Sequence, residues 1–175
     1  MKKDLYSDSG LNTILLIMGL IFWILSFWLI AIKEKGSNIE FDIALCLGLM
    51  LNAYLIIRLT KEPFNMITTF SLMIFIGGMS SFKLAAADYS AHFYQEHFRA
   101  FRPDRSPTLF IIFIVVAAIL ELFLILGVLR FCSPIPFHLK KLVPFTLLLI
   151  TFGDAFWWLM SSFVWIIFNM GGIAG

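Results

Sequence analysis

Two carboxylic acids stand inside long apolar runs of the sequence: Asp154 in "ITFGDAFWWLMSSFVWII" and Glu121 in "AAILELFLILG". A carboxylate near the centre of a lipid bilayer costs about 2.5–3.5 kcal/mol on insertion scales, so an acid kept there points by default to ion or proton handling. Asn52, in "LMLNAYLI", is a third polar side chain in the same setting. Together the three could bind a proton or a cation in a medium of low dielectric. A plainer use is open to the same residues: an uncharged carboxyl that donates one hydrogen bond to a neighbouring helix holds a bundle together without moving anything.

A second constellation lies in the longest polar segment, "DYSAHFYQEHFRAFRPDRSP". Spaced at about 100° per residue, Asp88, His92, Gln95, Glu96, Arg99 and Arg102 share one helical face, and Tyr89, Phe93, Tyr94, Phe98 and Phe101 fill the rest. Asp88, His92 and Glu96 repeat every four residues, a spacing that could place two or three ligands on one zinc or iron ion. The same spacing suits a solvated face with ion pairs four residues apart. An aromatic opposite face suits the headgroup boundary of a membrane, where amphipathic helices lie flat.

Other chemistries find no residues. The histidines, His92, His97 and His138, lie outside the apolar runs, so haem ligation across a bilayer is not expected, and no Gly-rich phosphate loop, H-E-x-x-H or nucleophile motif occurs. Cys46 and Cys132 are far apart and form no C-x-x-C; they read as a small apolar residue and a loop residue. Basic residues come in ones and twos, with no stripe able to follow nucleic-acid phosphates. No cofactor and no nucleic acid are expected.

These residues need elements to hold them, and composition decides which. The chain has 175 residues, 61% hydrophobic and 14% charged, against about 25% charged in soluble domains; its mean hydropathy is +0.94. This predicts an all-α, polytopic membrane helix bundle forming one domain over residues 1–175. A bilayer core needs about 20 helical residues per crossing, and five runs qualify: 11–32, 41–59, 64–87, 108–129 and 142–169. The first is followed by no small-residue cleavage site and reads as a retained helix. Ser106 and Pro107 suit the start of the fourth, and Pro144 is expected in the first turn of the fifth. An amphipathic interfacial helix over 88–102 follows the third span, continuing helically from it or bending at the surface, since no Gly or Pro stands between Gly78 and Pro103. Gly77, Ser81 and Ala85 recur every four residues on that span, a seam of small residues that permits close helix contact. Lys83 is expected to snorkel to the near interface, and Trp23 and Trp28 to sit in an aromatic belt, whereas Trp157 and Trp158 are deep enough to require packing partners.

With five spans, one side of the membrane receives the N-terminus and the loops at 58–63 and 130–141, carrying seven basic residues; the other carries six basic residues with six acids. The positive-inside rule then places the N-terminus in the cytoplasm and the C-terminus in the periplasm of a bacterial inner membrane. Absent cofactor motifs and absent soluble domain favour a non-catalytic role. The expectation is an accessory or assembly subunit, or an immunity-type factor, that recognises another membrane protein or itself through its helices. One alternative is an oligomeric proton- or cation-coupled transporter or channel using Asp154 and Glu121. Another is a membrane enzyme with a surface metal or acid–base site at Asp88, His92 and Glu96.

Overall fold

The computed structural model describes residues 9–34, 38–98, 106–133 and 138–171. Among them the chain is helical apart from short turns: α1 Ser9–Glu34, α2 Ile39–Leu59, α3 Met66–Phe98, α4 Ser106–Cys132, α5 Leu139–Leu148 and α6 Asp154–Gly171, the last two joined by a π-helical turn, Leu149–Gly153. Five helical stretches are long and apolar enough to cross a membrane: Ser9–Lys33, Ile39–Leu59, Met66–Phe93, Ile111–Cys132 and Leu139–Met170. They correspond one for one to the five runs expected from sequence. An integral membrane protein would present this set, and the large apolar side chains left on the outside, such as Ile24, Phe123 and Phe152, fit lipid contact.

α3 is the central element, packing against α1, α2, α4 and α6, while α2 closes over α5 and α6. Between helices in lipid there is little hydrophobic drive, so close van der Waals packing must hold them. Glycine supplies it where α1 crosses α3. A Cβ on Gly19 would stand 2.7 Å from the backbone of Ile74, and one on Gly78 would stand 2.6 Å from the Gly19 carbonyl oxygen. Ser26 and Ser81 add a hydroxyl pair at 2.5 Å across the same contact. The small-residue seam on α3 therefore faces helices of its own chain. Gly77 lies against Trp23 and the Leu49 backbone, and Ala85 packs with Phe41 and Leu45.

The apolar core comes in two layers. One holds Ala53, Ile56, Ile57, Leu72, Ile76, Ile125, Leu129 and Ile150. The other holds Trp23, Ile30, Phe41, Leu45, Leu49 and Ala85, with Trp157 and Trp158 against it. Along α2 the first layer ends at Ala53 and the second begins at Leu49, with buried Asn52 between them. On α3, Ser80, Ser81 and Lys83 fall in the corresponding gap. A polar layer thus divides the bundle.

With no Gly or Pro between Gly78 and Pro103, α3 continues helically past residue 87 to Phe98, as expected, and residues 99–102 of the expected interfacial helix lie outside the described residues. His92 accordingly sits on the continuing helix rather than beyond it. Several other expectations are corrected. The last span starts at Leu139, so Pro144 lies in its second turn; its missing N–H leaves the Lys140 carbonyl without a helical donor, near the helix end where other donors can reach it. Trp23 is no belt residue, since it is buried and donates its indole N–H to the Ile74 carbonyl at 3.2 Å. Cys132 closes α4 rather than lying in the loop, and both cysteines are free thiols.

Candidate functional site

Helix direction brings the polar layer together. Cβ atoms in an α-helix tilt toward its N-terminus, and α3 and the last span both start on the side where α2 and α4 end. At about 1.5 Å per residue, Lys83 lies roughly 25 Å and Asp154 roughly 22 Å from that side, with side chains reaching back toward it. Glu121 lies about 16 Å and Asn52 about 10 Å from it, with side chains reaching the other way. The four meet inside the bundle.

Lys83 is the centre of the site. Its ammonium donates to Asp154 Oδ2 at 2.8 Å and to the Ile150 carbonyl at 3.1 Å, and forms an ion pair with Glu121 Oε2. The second oxygen of each acid is also engaged: Asn52 Nδ2 donates to Asp154 Oδ1 at 2.6 Å, and Ser80 Oγ to Glu121 Oε1 at 2.5 Å. Side-chain exposure is 9% for Lys83, 3% for Glu121 and 1% for Asp154. Snorkelling of Lys83 is therefore corrected. Its helix extends 15 residues past it to Phe98, and its side chain is directed away from the interface assumed near.

The π-helical turn is fitted to this cluster. The Asp154 N–H reaches back five residues to the Leu149 carbonyl, the wider spacing of a π turn. Leu149 and Ile150 then offer carbonyl oxygens sideways, and Asn52 Nδ2 at 2.9 Å and Lys83 Nζ at 3.1 Å take them up. Gly153 makes room, since a Cβ there would stand 2.6 Å from Asn52 Oδ1. One turn further, Trp157 lies across Gly48 of α2, and Trp158 meets Phe41 edge-on at 5.2 Å. Thr151, Ser161 and Ser162, on the same span as Asp154, give their hydroxyls to carbonyls of their own span.

The structure thus brings Asp154, Asn52 and Glu121 into one connected set, joined through two residues that sequence reasoning left out of it, Lys83 and Ser80. The signal for Lys83 was available in the tilt of helical side chains. Ser80 carried none beyond its place in "GGMSSF".

The surface constellation stands differently. Asp88 accepts from Lys33 at 2.5 Å, tying the end of α1 to α3, with about a third of each side chain exposed. The Glu96 side chain lies outside the described residues, and among those described no three His, Cys, Asp or Glu side chains gather to hold a metal. Comparison with protein-family models, curated proteins and solved structures finds no match for the chain.

Proposed function

We propose that the protein is a multi-pass integral protein of the bacterial inner membrane that exchanges protons at the Lys83–Asp154–Glu121 centre, as the working site of a small proton-conducting channel or transporter. The observation that carries this reading is the placing of one ammonium between two carboxyl groups in the dividing polar layer. Two carboxylates against one ammonium leave one negative charge uncompensated in a low-dielectric interior, where such a charge is costly. A single proton balances it. A metal cation is less suited, because each of the four carboxyl oxygens already faces a donor or the ammonium, whereas a cation such as Ca2+ needs about six oxygen ligands. The N-terminus faces the cytoplasm, the C-terminus the periplasm, and the end of α3, residues 88–98, lies near the outer headgroups.

The test is proton flux. Proteoliposomes containing a pH-sensitive dye are given an imposed potassium diffusion potential, and wild type is compared with Asp154→Asn and Glu121→Gln. Wild-type acidification above protein-free vesicles, lost in both variants, is the expected result; wild type no faster than empty vesicles overturns the reading.

A second reading, recognition of another membrane protein as an accessory, assembly or immunity-type factor, draws on the thin cover of α4. Only 22% of its membrane window is buried, and Ile112, Val116, Leu120 and Phe123 are exposed on it. A stoichiometric membrane partner recovered in mild detergent would favour it. Asp154 and Glu121 would then hold the fold and would not touch the partner.

A further inference from the structure

A cavity of about 370 Å3 opens where α2 turns into α3, lined by Tyr54, Arg58, Glu62, Phe64, Phe70 and Met73 among others. That volume lies within the range of small-molecule sites, about 300–1,000 Å3. Its position is set by the spans themselves: Arg58 is the penultimate residue of α2, and Phe70 and Met73 lie in the first turns of α3. The cavity therefore stands at headgroup depth, and its apolar wall continues down the span. Phe70 is 52% exposed.

The turn fixes two opposite charges at the mouth. Thr60 donates its hydroxyl to the Ile57 carbonyl at 2.7 Å and accepts from the Glu62 N–H at 3.2 Å. Arg58 lies over the Tyr54 ring, 5.6 Å from its centroid, a cation–π contact that orients the guanidinium without using up its in-plane donors. Among the described residues no carboxylate pairs with Arg58. Glu62 keeps one carboxylate oxygen, Oε2, covered and without a donor. A guanidinium with open donors beside an acceptor lacking one calls for a ligand that carries both an anion and an N–H cation.

We propose that this cavity binds an amine-bearing phospholipid of the surrounding bilayer. Its phosphate takes the Arg58 fork, which matches phosphate oxygens in pairs. Its primary ammonium donates to Glu62, and an acyl chain follows Phe70 and Met73. A trimethylammonium headgroup has no N–H to give Glu62, and a glycerol headgroup brings no cation to it. The proposal rests on the membrane reading but not on proton exchange, so absent flux leaves it standing.

The test uses the full chain in mild detergent with an equal mixture of phosphatidylethanolamine, phosphatidylcholine and phosphatidylglycerol, retained lipid being counted by native mass spectrometry. Wild type is expected to keep phosphatidylethanolamine at least about tenfold over the other two, the factor at the low end for one charge-assisted hydrogen bond. Arg58→Gln should lose retention of all three, and Glu62→Gln should remove the preference while leaving retention. Circular dichroism matching wild type checks that both variants fold. Equal retention of the three lipids by wild type, or a preference that survives both substitutions, overturns the proposal. So does displacement of the lipid by millimolar free phosphoethanolamine, which would make the ligand a soluble one.

Discussion

Replacing Lys83 with methionine keeps an unbranched chain one atom shorter and removes the charge, which makes it the sharpest perturbation of the buried site. The ammonium is the cation for both Asp154 and Glu121 and also serves the Ile150 carbonyl. Removing one partner of a buried ion pair costs about 3–5 kcal/mol, because the remaining charge is left without compensation. Here two acids and a carbonyl lose their partner together, so Lys83→Met is expected at the upper end of that range. The triple variant Lys83→Met, Glu121→Gln, Asp154→Asn removes all three charges and keeps groups able to meet Ser80 and Asn52. Replacing a buried pair by neutral groups is often close to neutral in stability, so the triple variant should recover most of the loss, far from additivity. The assay is equilibrium unfolding in bicelles by steric trapping, run on the single and triple variants. A loss below about 1 kcal/mol for Lys83→Met, the size of an exposed pair, would refute the reasoning. So would a triple variant less stable than the single one.

Three further outcomes follow from the same structure. Gly153→Ala should destabilise by about 1–3 kcal/mol, the usual cost of overpacking, because its Cβ would meet Asn52, whereas Gly127→Ala, with nothing within 4 Å, should be neutral or stabilising in the same unfolding assay. Lys61 holds a left-handed backbone, φ 59°, which costs a non-glycine residue about 1 kcal/mol or more; Lys61→Gly should therefore raise stability by about that amount, and a decrease would show that its side chain is needed. Asp88→Asn, at a pair about a third exposed, should cost no more than about 1 kcal/mol, measured as a shift in the unfolding midpoint.

The spans were legible because a bilayer demands about 20 apolar residues per helix, and composition alone answers that demand. The helix ends were less so. Nothing in "KLAAADYSAHF" stops a helix, so the continuation of α3 past residue 87 was legible, whereas the hydropathy limit of the span there marks only where apolarity thins. At the other end of α3, Asn65 accepts from the Thr68 N–H at 2.7 Å, a side-chain cap of the usual kind just inside the run expected from residue 64. Trp23 was misplaced because belt residues are recognised by distance from a span's end, and that distance says nothing about which face of α1 turns toward α3. The π turn at Leu149–Gly153 carries no composition signal, since it depends on acceptors wanted by Asn52 and Lys83 on other helices.

Asp154 itself shows why a buried acid is hard to read from one helix alone. On α6 it looks like a lone charge among aromatics. In the bundle it is one corner of a set in which Lys83 can satisfy it only because α3 and the last span run in the same direction, while Asn52 and Glu121 approach from helices running the other way. Reversing any one of these helices would swing its side chain about one turn along the membrane normal and separate the charges. The five-span topology therefore specifies the site as much as the residues do. A tilt of α4, whose membrane window is as thinly buried as that of the last span, would part Glu121 from Lys83 without moving Asp154. The two acids are not held alike: Asp154 is bonded to Asn52 beside the π turn, whose Leu149 and Ile150 carbonyls Asn52 and Lys83 take up, whereas Glu121 meets Lys83 and Ser80 from α4.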